Sequence, residues 1–319
     1  MISICIPAYK YVALTHEAAK SILQQDEDIE LIILDDFYLV DRTVENLHAI
    51  DYLKSYLHAD KRVKCISNDS LLPIQDNWNK AVSLCTGRYI KLIGADDRML
   101  PGSIWKMLKM INERPTVAFH GHLANIIDSD GFMIRQQRPY GVDFINKIIT
   151  GPTALKGKLR QQVRFKEPAC NFYLKNAWEK IGGYDTKFRF TFDIYFNAKM
   201  MSAFPSMLWN EYLIELRRHQ ASDGAQLPAS LALTDLDGVV SEILNLLGDK
   251  ATLLDKAAAK GWLEYRLIEL AAQRVKRRPL DIGKLVINNL GLFASNPIAL
   301  YWMIKLLINR GAFGDVQQQ

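Results

Sequence analysis

The sequence is poor in cysteine: Cys5, Cys65, Cys85 and Cys170 are the four present in 319 residues. No two form a C-x-x-C pair and no histidine stands at ligand spacing from them, which argues against a zinc site and a disulfide framework. Free thiols fit a reducing cytosol. The N-terminus, MISICIPAYK, lacks a basic n-region and its apolar run stops at Pro7, so it does not read as a signal peptide. No G-x-G-x-x-G follows that run, which removes the nicotinamide-dinucleotide fingerprint. A Gly-rich, Arg-containing phosphate loop is missing too, because Pro7-Ala8-Tyr9-Lys10 stands in its place. That argues against a sugar-nucleotidyltransferase. A strong charge imbalance is also lacking: 40 Lys+Arg against 35 Asp+Glu leave +5, with a pI near 8.8. This falls short of the pI above ~9 that marks a nucleic-acid binder, and no nucleic-acid partner is expected.

What is present is a core. Hydrophobic residues make up 49% of the chain, too many for disorder. The first third alternates strand-like and helix-like patterns. Strands are expected at Ile2 to Pro7, Ile29 to Leu34, Arg62 to Ile66 and Arg88 to Ile93. Helices are expected at Val12 to Gln25, Thr43 to Leu57, Gln75 to Cys85 and Pro101 to Asn112. Such alternation predicts a parallel sheet covered on both faces, with ligands bound beyond the carboxyl ends of the strands. Further on, Val117 to Leu123, Asn171 to Leu174 and Tyr212 to Arg217 read as strands. Ala177 to Ile181 and Ile194 to Met201 read as helices. Lys156 to Lys166 carries five basic residues and no acid; it reads as a solvated loop, with an approach to a diphosphate as the alternative. His120 and His122 alternate on a strand and read as structural.

Three acidic sites stand out: Asp35-Asp36 after IELIIL, Asp96-Asp97 after YIKLIGA, and Asp193 at a helix start. Adjacent carboxylates at a strand end repel each other unless a cation sits between them. Mg²⁺ and Mn²⁺ take such oxygen ligands together with substrate phosphates. Alone, the Asp pair is equally well ordinary loop chemistry, and Asp193 an acid favoured by the helix dipole.

The combination is more specific. ISICIPAYK, LIILDD, NWNKAVSLCTGRYIKLIGADD and IGGYDTKFRFTFD occur in an order and spacing that resemble family 2 glycosyltransferases, over roughly residues 1 to 220. The resemblance implies an α/β catalytic domain of GT-A fold, Rossmann-like with a mainly parallel sheet. It implies an inverting enzyme that moves a sugar from a nucleotide-diphosphate donor, probably a UDP-sugar, to a saccharide or lipid-linked saccharide in surface polysaccharide or glycan synthesis. Residue by residue, it places Pro7 and Tyr9 against the base and ribose and Asp36 on the base N–H. Asn79 lies on the helix over the nucleoside. Asp96-Asp97 stands for the D-x-D motif, with Asp97 on the metal, Mn²⁺ or Mg²⁺. Asp193 is the catalytic base. The R-x-H-like Arg217-Arg218-His219 supplies diphosphate contacts from the arginines and a metal contact from His219. The chain departs from the family at Phe192, where a Glu precedes the base, and at Tyr195, where a second Asp is frequent. Those departures motivate a rival reading, a catalytically degenerate protein that binds glycans or partners.

From Pro228 onward the composition turns to long Leu- and Ala-rich helical patterns. This predicts a catalytic domain over 1–224 and an α-helical C-terminal extension over 225–319. Arg274, Lys276, Arg277 and Arg278 form a basic cluster, and Leu285 to Ile304 is uncharged. Asn288, Asn289, Gly291, Asn296 and Pro297 argue against a clean spanning helix. Core packing, a homo-oligomer surface and a peripheral membrane contact stay open. The expected location is the cytoplasm, with the inner face of the cell membrane as its extension.

Overall fold

A computed structural model describes residues 1–9, 11–36, 53, 57, 60–138, 142–163, 165, 167–218 and 229–275. Its centre is one mixed sheet. Strands β1 (Ile2–Ala8), β2 (Ile29–Asp35), β3 (Val63–Ser67) and β4 (Tyr89–Leu92) form a parallel half in the order β3-β2-β1-β4. The sheet continues through β9 (Asn171–Leu174), β6 (Phe119–Ile127) and β10 (Ser206–Arg217) to β5 (Arg98–Met99). β9 lies antiparallel between β4 and β6, whereas β6 and β10 are parallel. β7 (Met133–Gln136) and β8 (Ile148–Ile149) pair off the main path with β6 and β10.

The parallel strands are apolar on both faces because both faces are covered. On one face Ile2, Ile4 and Ile6 pack with Ile22 of α1 (Val12–Leu23) and Met107 of α3 (Ser103–Glu113). On the other, Cys5, Ile32 and Leu34 pack with Val82 of α2 (Ile74–Leu84) and Phe196 of α6 (Phe192–Ala203). Fully burying one such side chain stabilises by about 1.5–3 kcal/mol. Of the helix expected over 43–57, only Leu53 and Leu57 are described, and both are buried in the first layer.

Chain order places the crevice. From β1 the chain builds outward to β2 and β3, then returns to the opposite side of β1 for β4. The carboxyl ends of β1 and β4 are therefore a topological switch point, where open α/β sheets bind ligands. Pro7 fits this geometry. Cys5 faces β4, accepting from Ile93 N at 3.0 Å, and Ala8 faces β2, accepting from Asp36 N at 2.8 Å. By alternation Pro7 faces the β4 side, after the β1–β4 ladder has ended at Cys5 and Leu92. A residue without an N–H therefore costs the central strand no ladder bond.

Two expectations change. β10 begins at Ser206, six residues before Tyr212, because a bulge between Leu208 and Ile214 interrupts the alternation. The basic stretch is not a solvated loop at its start: Gly151–Leu159 is a helix, α4. Its charges face α8 (Leu253–Val275), where the Asp255 carboxylate, fully buried, accepts from Arg160 at 2.6 Å and lies 3.6 Å from Lys156. Lys158 is buried over the Trp262 ring. Arg164 and Lys166 lie outside the described residues.

α5 (Lys175–Lys180) precedes the Gly182-Gly183 turn. α7 (Ala229–Leu247) and α8 bury Val239, Ile243, Ala259 and Trp262 in the same core cluster as Phe196. The expected boundary at 224–228 and the segment 285–304 lie outside the described residues. Among those described, no helix is long and apolar enough to cross a membrane.

Candidate functional site

The carboxyl ends of β1 and β2 bring Pro7, Tyr9 and Asp36 together. Pro7 pairs with Leu34 and Ala8 with Asp35, and Tyr9 follows, half-buried. Asp36 is 3% exposed. Its Oδ1 accepts from Asn68 Nδ2 at 2.7 Å and from Leu72 N at 3.0 Å. Burial raises its pKa above the ordinary carboxylate value. Asn68 also donates to Asn77 Oδ1 at 3.0 Å, and its own Oδ1 is buried without a hydrogen-bond partner. The result is a fixed, acceptor-rich pocket wall.

At the end of β4 the chain turns at Gly94, where Asp97 N donates back to Gly94 O at 3.2 Å. A Cβ on Gly94 would lie 2.6 Å from Asp97 Oδ2 and 2.9 Å from Asp96 Oδ1. Two carboxylates thus converge over one glycine. Burial, then the Asp96 charge, push the Asp97 carboxyl up to about 7. Among the described residues no group of three or more His, Cys, Asp or Glu side chains gathers for a cation. The convergent pair still fits a divalent cation whose remaining ligands are substrate oxygens. His219, expected as a further ligand, lies outside the described residues.

Asp193 sits in the first turn of α6, half-buried, its Oδ1 accepting from Ile194 N at 2.8 Å. Burial outweighs that bond and holds its pKa at about 6. A carboxylate in this range suits proton abstraction near neutral pH. Phe192 packs edge-on against Trp78 and Tyr184, with centroids at 5.2 and 6.0 Å. The position before Asp193 therefore faces the core.

A scan against protein-family models matches residues 3–182 to Glycosyl transferase family 2. The chain belongs to this family. An uncharacterized glycosyltransferase of Methanocaldococcus jannaschii is 26% identical over 161 residues, covering 48% of this chain and 56% of that relative. A protein of Mycobacterium tuberculosis is 28% identical over 142 residues, covering 44% and 40%. The chain thus spans about half, or less, of the length of these curated relatives. Among solved structures, S. aureus TarS in complex with UDP-GlcNAc superposes with a TM-score of 0.60 at 12% identity, covering 97% of this chain and 92% of that one. Mannosyltransferase PcManGT from Pyrobaculum calidifontis, in complex with GDP-Man and Mn²⁺, gives 0.58 at 14% identity, covering 99% and 87%. The fold is that of GT-A glycosyltransferases.

Against the expectations for this family 2 member, two residues move. Arg217 does not face a diphosphate. Its guanidinium is 3% exposed overall and donates to Asp96 O at 2.9 Å, Ser129 O at 2.8 Å and Glu17 at 2.9 Å. Its backbone N donates to Asp97 Oδ1 at 3.0 Å. Arg217 is a strut that fixes the Asp96-Asp97 turn; Arg218, just past the end of β10, is exposed and pairs with Glu167 at 2.5 Å. Asn79 spends its amide on the backbone. Its Nδ2 donates to Tyr184 O and its Oδ1 accepts from Tyr184 N, both at 2.8 Å. It clamps the Gly182-Gly183 turn that leads toward Asp193. Gly183 has φ +65°, and a Cβ there would lie 2.5 Å from Asn79 Oδ1 and 3.0 Å from two Trp178 carbons, so only glycine fits.

Other residues escaped the sequence reading. Lys91, fully buried in β4, donates to Ala169 O, to Asn171 O at 3.3 Å and to His122 Nε2 at 2.6 Å. His122 Nδ1 lies 2.9 Å from Leu123 O and carries the ring proton, so Nε2 is free to accept. Burial pulls the Lys91 ammonium down to about 7 and keeps His122 neutral. Lys91 thus ties the strand bearing Asp96-Asp97 to the 3-10 turn Pro168–Cys170. Its signal was a lone charge inside the apolar run YIKLIGA. Glu167, the first acid after the basic run, raises the pKa of both Asp97 and Asp193 and so stands within electrostatic reach of both.

Proposed function

We propose that the chain is an inverting glycosyltransferase that moves a sugar from a nucleoside-diphosphate donor, a UDP-sugar, to a saccharide or lipid-linked saccharide acceptor in surface polysaccharide or glycan synthesis. The observation that carries this reading is the pair of acidic features at the switch point, the buried Asp36 wall and the paired carboxylates over Gly94, with the half-buried Asp193, pKa near 6, linked to Asp97 through the field of Glu167 that both feel. The nucleoside lies against Pro7 and Tyr9, with its base N–H donating to Asp36. UDP-GlcNAc in TarS and GDP-Man with Mn²⁺ in PcManGT are the ligands of similarly folded proteins and support a nucleotide donor with a divalent cation.

The chemistry follows from the residues. An acceptor hydroxyl is a poor nucleophile, so Asp193 removes its proton as attack on the anomeric carbon proceeds. Base catalysis of this kind contributes about 10²- to 10⁴-fold. Asp97, with Asp96 beside it and His219, would hold Mn²⁺ or Mg²⁺. A bound cation supplies neutralisation of charge on the departing diphosphate. Arg218 adds a second positive group there, suited by its planar fork to phosphate oxygens. Displacement in one step inverts the anomeric centre. A lipid-linked acceptor places the work at the cytoplasmic face of a membrane, where the basic cluster around residues 274–278 meets anionic lipid.

A donor panel tests the reading. With Mn²⁺ or Mg²⁺ present, one UDP-sugar is expected to raise the melting temperature and to be hydrolysed slowly. If no nucleotide sugar binds or turns over, the reading fails. Phe192 and Tyr195 favour the second reading, a degenerate binder, which predicts donor binding without turnover.

A further inference from the structure

One member of a charge pair, the carboxylate that holds Arg218, has no part in the reaction as drawn. Glu167 leads into the 3-10 turn Pro168–Cys170, and its Oε1 accepts from Arg218 Nη2 at 2.5 Å. Oε2 accepts from Gln137 Nε2 at 3.4 Å. The backbone beneath is fixed: Cys170 N donates to Glu167 O at 2.7 Å, and Lys91 holds Ala169 O and Asn171 O. The charged ends are not: the Arg218 and Glu167 side chains are 46% and 40% exposed. An ion pair so exposed is weak and readily exchanged. A diphosphate offers the same guanidinium a more highly charged, bidentate partner.

Resting on the donor reading above, we propose that Glu167 is the counter-charge that surrenders Arg218 to the donor's diphosphate and takes it back as the nucleoside diphosphate leaves. Cleavage of the sugar bond adds negative charge to the leaving diphosphate, which strengthens its hold on Arg218. A carboxylate on a fixed turn beside that arginine competes for it and speeds release of the product. Glu167 is a positioning residue that acts through Arg218, and no covalent bond is made or broken by it. Product release limits many transferases and closing enzymes, so such a competitor affects turnover.

The test uses the full chain, UDP and UMP with Mn²⁺, and titration calorimetry with stopped-flow dissociation. Glu167→Gln removes the competitor, and UDP is expected to bind about 2- to 5-fold tighter, through slower dissociation, the span of an exposed ion pair. UMP, with no β-phosphate, binds both forms alike. Glu167→Ala gives the same direction. Arg218→Met weakens UDP binding and makes Glu167→Gln silent in the double variant. An unchanged or weaker UDP affinity in Glu167→Gln, an equal change for UMP, or a full effect in the Arg218→Met background overturns the proposal. A wild type that binds no UDP fails the donor reading and takes this proposal with it. A wild type that binds UDP, with a silent Glu167→Gln, sinks this proposal alone.

Discussion

The two sides of the crevice are built differently. On the Asp36 side, Asp36, Asn68 and Asn77 are 3%, 5% and 3% exposed and bonded to one another. On the Asp193 side, that carboxylate is half-buried, and Glu167 and Arg218 are about two-fifths exposed, held by their ion pair and a long bond from Gln137. A rigid wall suits a ligand that never varies, such as a nucleoside. Open, exchangeable charges suit groups that must arrive, react and leave. Preorganisation is thus concentrated where binding is constant, and solvent access where chemistry happens.

Substitutions can break or sharpen that contrast. The largest effect is expected from Asp193→Asn: sugar transfer falls by about 10²- to 10⁴-fold, while UDP affinity stays within about twofold. Loss of UDP binding instead would move Asp193 to the binding side. Asp97→Ala is next. It is expected to weaken UDP binding in the presence of Mn²⁺ by at least about 10- to 100-fold, the loss seen even for outer-shell metal partners. Calorimetry without Mn²⁺ should show little difference, and an unchanged metal dependence would place the cation elsewhere.

A pH profile follows in size. Asp193 must be ionised to act, and burial holds its pKa at about 6. The group is protonated and idle below that value, so the rate at saturating donor should fall about tenfold per pH unit below pH 6 and level off above 7. A flat profile down to pH 5 contradicts the base assignment. The smallest effect is on stability. Gly183→Ala puts a Cβ against Asn79 and Trp178 at φ +65°, with an expected cost of about 1–2 kcal/mol. In thermal melts that is a fall of about 2–4 °C.

Much of the fold was legible. Apolar runs bounded by Gly, Pro or Asp gave the parallel strands, since a strand buried on both faces is mostly apolar. β10 was cut short because its bulge, near Trp209 to Leu213, breaks the period of two. The candidate site was legible in outline, through the acids after LIIL and LIGA and the one in the first turn of α6. Its details failed for geometric reasons. Arg217, the last residue of β10, is buried, and Arg218 just past it is exposed, so the two do not share a role, and the sequence does not say which one the fold buries. Asn77 and Asn79 lie two apart on a helix, on different sides, and the buried one beside Asp36 is Asn77. Lys91 carried a signal, a lone charge in an apolar strand. Glu167 carried none, because its partners, Arg218 and Gln137, lie far away in the chain.

The central claim is that Asp193 acts as a base in one displacement at the anomeric carbon. The most direct test needs no acceptor: ¹H NMR of the sugar freed from UDP-GlcNAc with Mn²⁺, or from whichever α-linked UDP-sugar the panel selects, read before mutarotation. The account predicts that the β-anomer appears first; the α-anomer first would show retention and contradict it.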